Sequence, residues 1–397
     1  MPSKAVASNG LRRFMNRGAE RPTVDVAGTG RLVALTRSAA LRGIIGAIVV
    51  GLGACHSFGP DGLKGTHPLY TEAISSSMNE QFVHNLVRLH YRDPAYFLDV
   101  SNVAATLKLD INGGLNQSSV GFGGTVDNNI MQFSLGADYQ TQPTISYTPL
   151  QGENFVKSVL SALTLESVFA LIHSGWNVRR VFPLCIERIN GLENSPTASG
   201  PTPESAPTHD HGFHRLMRLI ESLRGEQFLI PHVDPVSKNL MLQMRSAPDN
   251  AAAIAEIKDL LGLDPNTDDY RLSGEPTYDS RTIAIHTRSL MGIFFLLSHN
   301  VDVPPAHKEA GLVTITHGKR GETFDWDQTL AGKLLHIRQS ESQPEGSFLA
   351  IPYRGHWYYI ADNDLESKST FMLLIQLFRL QAGSASSVAP ALTIPLR

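Results

Sequence analysis

Cysteine is nearly absent from this 397-residue chain, which has only Cys55 and Cys185. Two cysteines exclude a disulfide-rich scaffold and leave no Cys-x-x-Cys pair for zinc or redox chemistry. Long hydrophobic runs are missing too. Gly43 to Ala54 is uncharged and apolar but only twelve residues long, whereas a membrane-crossing helix takes about 20. Positive charge is not in excess, with 34 Lys/Arg against 37 Asp/Glu, which argues against a nucleic-acid binder. Catalytic signatures are also lacking: no Gly-x-Ser-x-Gly elbow, no phosphate-binding glycine loop and no His-Glu-x-x-His. The glycines Gly121, Gly123 and Gly124 precede no helix and read as loop.

What is present begins with Leu52-Gly53-Ala54-Cys55 at the end of the apolar run. Arg31, Arg37 and Arg42 give it a positive flank, and small residues at Gly53 and Ala54 let a peptidase approach the backbone. The pattern resembles the bacterial lipobox. That resemblance implies cleavage between Ala54 and Cys55, diacylglycerol on the Cys55 thiol and a further acyl chain on its amine. His56, rather than aspartate, follows the cysteine, so it also implies the outer membrane, with the body facing the periplasm. Residues 1–30 are longer and more polar than an ordinary signal, and the expectation is a later start, at Met15 or Val33. Residues 1–54 hold eight Lys/Arg and two Asp/Glu, so residues 55–397 keep 26 against 35, a net charge of −9. Acyl chains, at about 0.8 kcal/mol per buried methylene, would then do the anchoring.

Beyond Cys55 the pattern is α+β: antiparallel hairpins packed with amphipathic helices. Residues 55–66 carry Gly59, Pro60 and Gly62 and read as a tether. An N-terminal region follows over 67–192. Ile74, Met78, Phe82, Leu86 and Leu89 predict a helix from Pro68 to about Arg92, stopped by Asp93-Pro94. Two nine-residue strands come next. Val103, Ala105, Leu107, Leu109 and Ile111 alternate with polar or small residues, as do Met131, Phe133, Leu135, Ala137 and Tyr139. Residues 112–129 between them read as a Gly/Ser/Asn-rich loop. Such strands suit a half-buried sheet against the first helix. They also match the ~9–11 alternating residues of a transmembrane β-strand, which would make them a two-strand share of an oligomeric pore, although Phe133 and Tyr139 alone make a weak aromatic girdle.

Residues 193–210 hold four prolines, Pro196, Pro201, Pro203 and Pro207, and read as an exposed linker or an insertion. A C-terminal α+β region over 211–381 has helices at 211–224, 251–261, 289–298 and 369–380, with hairpins at 227–245 and 348–360. A flexible tail, 382–397, closes the chain.

Three features could carry chemistry. His209, His211 and His214 stand close enough in sequence, beside Asp210, to meet a zinc or copper ion; they are also a cluster expected by chance among fifteen histidines. Tyr353-Arg-Gly-His-Trp-Tyr-Tyr359 sets Arg354 at a turn among Tyr353, His356, Trp357 and Tyr358. It reads as a recognition surface for carboxylate, sugar or peptide, or as a hairpin whose aromatics pack across strands. Cys185, in the apolar Val181-Phe-Pro-Leu-Cys-Ile186, reads as a small core residue. No cofactor is implied.

The chain past Cys55 is similar to a group of uncharacterised Gram-negative outer-membrane lipoproteins. The similarity lies in Tyr70-Thr-Glu-Ala-Ile74, Asn85-Leu-Val-Arg-Leu-His-Tyr-Arg-Asp-Pro94 with Phe97-Leu-Asp-Val100, Tyr147-Thr-Pro-Leu-Gln-Gly152 and Tyr353–Tyr359. It implies location and transfers no catalytic residue. The expectation is a lipid-anchored binding or scaffold component of an envelope assembly, held to the outer membrane by acyl chains on Cys55 and to a protein partner by contact. The alternatives are an envelope hydrolase with a dispersed site, or a subunit of an oligomeric membrane pore.

Overall fold

The computed structural model describes residues 58–119, 129–208, 211–223, 229–277, 279–382 and 392–395. Cys55, Ala54 and His209 lie outside the described residues. The chain divides into two compact units, 1–71 and 72–397, and the second holds all three sheets.

In chain order the elements are α1 (Phe58–His90), β1 (Leu98–Ser119), β2 (Asn129–Pro149), α2 (Glu153–Leu160), α3 (Leu165–His173), α4 (Val178–Cys185), β3 (Ile186–Ile189) and β4 (Leu192–Glu193). Then come α5 (His211–Ser222), β5 (Leu229–Val233), β6 (Leu240–Met244), α6 (Ala251–Leu260), β7 (Asp269–Ser273), β8 (Thr282–Thr287), α7 (Leu290–Ser298) and α8 (Pro305–Glu309). The last are β9 (Arg338–Ser340), β10 (Ser347–Tyr353), β11 (His356–Ala361), α9 (Leu365–Ala382) and β12 (Leu392–Pro395). The class is α+β.

A six-stranded sheet runs β4-β3-β8-β7-β6-β5. All its neighbours are antiparallel except β7 and β8, which run parallel. Because β3 pairs with β8, the regions on either side of residues 193–210 share one sheet. A second sheet, β10-β11-β9, closes on the Arg354-Gly355 turn. Both turn residues have positive φ, 48° and 81°, the left-handed pair that matches the twist of a two-residue hairpin. The core gathers aromatics from distant elements. Phe82 of α1 stacks on Phe294 of α7 at 5.9 Å and meets Phe378 of α9 edge-on at 4.9 Å.

Local signals set several boundaries. The Thr164 hydroxyl accepts from the Ser167 amide at 3.2 Å and caps α3. Ser289 caps α7 by accepting from Gly292 at 3.0 Å. Gly175 and Gly262, at φ 101° and 64°, follow α3 and α6, where only glycine turns left without strain.

Elsewhere tertiary structure overrides the local reading. Residues 58–66, part of the expected 55–66 tether, form the first turns of α1, with Pro68 inside the helix. β1 and β2 are 22 and 21 residues long, not nine, because an antiparallel partner satisfies backbone groups whatever the side chains. The Gly113-Gly114 step pairs with Leu135 and Ser134, and Pro143 sits opposite Ala105. Part of the expected loop is therefore strand, and the tail contributes β12, paired with residues 144–147 of β2.

Residues 193–208, expected as a linker or an insertion, are exposed at Thr197, Pro201, Glu204, Ser205 and Thr208 but packed inward elsewhere. Asn194, Ser195, Ala198 and Thr202 are buried, and a short 3-10 turn at Pro196–Ser199 packs so closely on α7 that a Cβ at Gly292 would lie 3.3 Å from Ser199. The fully buried Arg288 organises this segment. Its guanidinium donates to Ser199 Oγ at 2.9 Å, to the carbonyls of Pro183 at 3.1 Å and Ile186 at 2.7 Å, and to Asn194 O.

Candidate functional site

The sequence singles out Tyr353, Arg354, His356, Trp357 and Tyr358, and the β10–β11 turn places them against the C-terminal end of α1. There Arg92, at φ 60°, reverses the chain and presents Asp93. Asp93 Oδ2 accepts from the Tyr353 hydroxyl and, at 2.9 Å, from Arg354 Nη2. The guanidinium also lies over Tyr91, 5.0 Å from the ring centre, and over Tyr353 at 5.5 Å. Tyr91 Oη is 2.6 Å from Tyr358 Oη and 2.7 Å from His307 Nδ1 of α8. His307 meets His356 edge-on at 5.0 Å, and His356 Nδ1 is 2.9 Å from Gln339 Nε2.

Exposure divides this cluster. Tyr358 is fully buried, Tyr353, His356 and Trp357 are half-buried, and Arg354 is exposed. Burial raises all three phenols above their usual range. Burial also works against the Asp93 carboxylate, yet the Tyr353 and Arg354 hydrogen bonds hold it below its ordinary value. Burial lowers His307, helped by His356 and Arg354, so its ring is neutral at pH 7. A general acid or base needs a pKa moved towards neutrality and a nucleophile needs one moved down. Here the phenols move away, and Asp93 is already bonded to both Tyr353 and Arg354. The arrangement is a clamp pinning the β10–β11 turn to α1, with the edges of Arg354 and His356 left for contact.

No protein-family model, curated protein or solved structure matches this chain.

Among the described residues no three His, Cys, Asp or Glu are grouped to hold a metal ion, and of the three histidines only His211 and His214 are described. They line a cleft of about 740 Å³ with Arg179, Arg180, Arg218 and Lys333 against Glu221 and Glu366. Arg180 bonds Glu366 at 2.6 Å and Arg179 pairs with Glu221 at 3.2 Å, so much of this charge is internally compensated. Cys185 is buried and its thiol is pushed up to about 12 by burial, which suits the core role.

Sequence reasoning missed Tyr91, Asp93 and His307 because they lie some 50 to 260 residues from the motif they serve. The available signal was the Tyr91-Arg-Asp93 stretch, read as a helix stop and as part of the Asn85–Pro94 similarity but not as a partner of the hairpin. It also missed the geometry of the hairpin. The register pairs Leu107 with Thr141, Leu109 with Tyr139, Ile111 with Ala137, Gly113 with Leu135, and Leu115 with Phe133. Lys108 pairs with Gln140, Asp110 with Asp138, Asn112 with Gly136, and Asn116 with Gln132. Cross-strand partners share a face, so the two apolar alternations fall on one face of the ribbon and the two polar alternations on the other. Among the described residues no helix is long and apolar enough to cross a membrane.

Proposed function

We propose that this protein is an outer-membrane lipoprotein, anchored through Cys55, whose β1–β2 hairpin joins those of other copies in an oligomeric transmembrane β-barrel. The register carries this reading. From Val103 to Ile111 and from Met131 to Tyr139 each strand offers nine alternating residues in phase with the other, against the ~9–11 that a membrane strand needs. A one-residue slip would have mixed the faces.

Unpaired edges support the same reading. Among the described strands β1 pairs only with β2, and β12 covers β2 only over residues 144–147. Two long open edges are an aggregation liability that ring closure removes. The hairpin's described hydrogen bonds to the body are at its base, where the Gln81 side chain donates to Leu98 O at 3.0 Å and accepts at 2.5 Å from Leu98 N.

The test uses detergent-extracted protein. Ring-like oligomers resistant to SDS without boiling, and stepwise conductance in planar bilayers, are expected. Ile111→Arg puts a charge on the apolar face at about 2–4 kcal/mol and should abolish both, whereas Asn112→Arg on the opposite face should keep them. A non-conducting monomer, or an Ile111→Arg variant as active as wild type, sinks the barrel. Alkyne-palmitate labelling of wild type but not of Cys55→Ala tests the anchor separately.

A further inference from the structure

An open cavity of about 360 Å³ lies between helices α3–α6 and strands of the six-stranded sheet. Buried Phe182, Leu216 and Met244 line its inner part, and half-buried Ile172, Ile220 and Leu229 line the rest. His173, at the end of α3 and exposed, is the one titratable side chain among the described lining residues.

Protein interiors hold few voids larger than a water molecule, while ligand pockets run to about 300–1,000 Å³. A space of this size with so few polar partners gives water little to bond. A second observation concerns the strands beside it. Leu229 of β5 and Leu242 of β6, which share one face of the hairpin and line the cavity, stay only half-buried, although apolar strand residues of this kind ordinarily bury one face completely. Sheet residues and cavity are thus waiting on the same apolar cover.

We propose that this cavity binds the aliphatic chain of a membrane lipid, its apolar length against Phe182, Leu216 and Ile220 and its polar end in water beside His173. The lining selects that chemistry. A sugar, nucleotide or peptide would bury donors and acceptors without partners. An aliphatic chain has none along its length, and its single polar end suits a mouth with a single titratable residue. The proposal stands independently of the barrel.

The measurement is a fluorescence titration of full-length protein carrying Cys55→Ala, so that no acyl chain on the protein itself competes, with cis-parinaric acid as the probe. Saturable one-to-one uptake, displaced by palmitate, is expected. Ile220→Trp and Leu242→Trp each fill the cavity from a half-buried position and should weaken uptake at least ten-fold with unchanged far-UV circular dichroism. Mass spectrometry of gently extracted wild-type protein should also find a co-purifying acyl lipid, a readout that needs no variant. No saturable uptake by folded protein, equal uptake by the filled variants, or displacement by a rigid sterol but not by palmitate overturns the assignment.

Discussion

Arg288 is where this fold can be broken most informatively. It is fully buried with no carboxylate in hydrogen-bond reach among the described residues, and desolvation lowers its pKa to about 10. Its removal has unequal effects on the groups it bonds. Pro183 O and Ile186 O keep a second donor, Asn194 Nδ2, at 3.0 and 2.7 Å, and Ser195 O keeps the Ala198 amide at 3.0 Å. Asn194 O has no other donor among the described residues. Arg288→Met therefore orphans at least one buried carbonyl, worth about 1–3 kcal/mol, and deletes several charge-assisted bonds at about 1.5–3 kcal/mol each, partly offset by not having to bury a cation. The expected loss is about 4 kcal/mol, a large share of a typical total of about 5–15. Arg288→Lys keeps the charge with three donors and should lose roughly half of that. Urea unfolding followed by tryptophan fluorescence measures both. An Arg288→Met variant within about 1 kcal/mol of wild type would refute the claim that this side chain holds residues 193–199 in place.

Acid should destabilise the body. His90, bonded to Ser298 O at 2.8 Å, and His299, at 2.9 Å from Ala198 O, are pushed down by burial to about 4 and about 3. Below pH 6.5 the unfolded chain takes up protons that the native state refuses. Stability should be flat above about pH 7 and fall through pH 6.5 to 4 by a few kcal/mol; a flat profile in urea midpoints there would contradict the burial of both rings. Tyr91→Phe leaves the buried Tyr358 hydroxyl without its partner and should cost about 1–3 kcal/mol, read by the same unfolding assay. Thr164→Ala should cost about 1 kcal/mol through loss of the α3 cap, and no change would dismiss that cap as idle. Asp110 and Asp138 stand opposite one another in the register; if the ribbon lines a pore, Asp110→Asn with Asp138→Asn should reduce cation over anion selectivity, seen as a shifted reversal potential in a salt gradient.

Read from sequence, the candidate site was half visible. The Tyr353–Tyr359 hairpin was legible because Arg354-Gly355 between apolar runs is local turn chemistry. Its partners Tyr91, Asp93 and His307 were not, since nothing in a helix end announces which hairpin will dock on it. The clamp they form also changes the reading of the motif. Tyr358, offered as recognition surface, is interior, and Arg354 is already paired with Asp93.

The sequence by itself determined what depends on near neighbours. Local helical patterning placed α5, α6 and α7. Turn residues placed the β5–β6 and β10–β11 hairpins, and alternation marked the two long strands. Each of these rests on steric and hydrogen-bonding preferences acting within a few residues. Tertiary structure alone decided how far β1 and β2 extend, because a partner strand supplies the backbone bonds that glycine-rich sequence does not advertise. It decided that the proline-bearing segment 193–208 is anchored to the body at its start, because Arg288, ninety residues on, bonds the carbonyls of Asn194 and Ser195. It decided, finally, that the two alternations share a face: register belongs to a pair of strands, and a single strand cannot hold it.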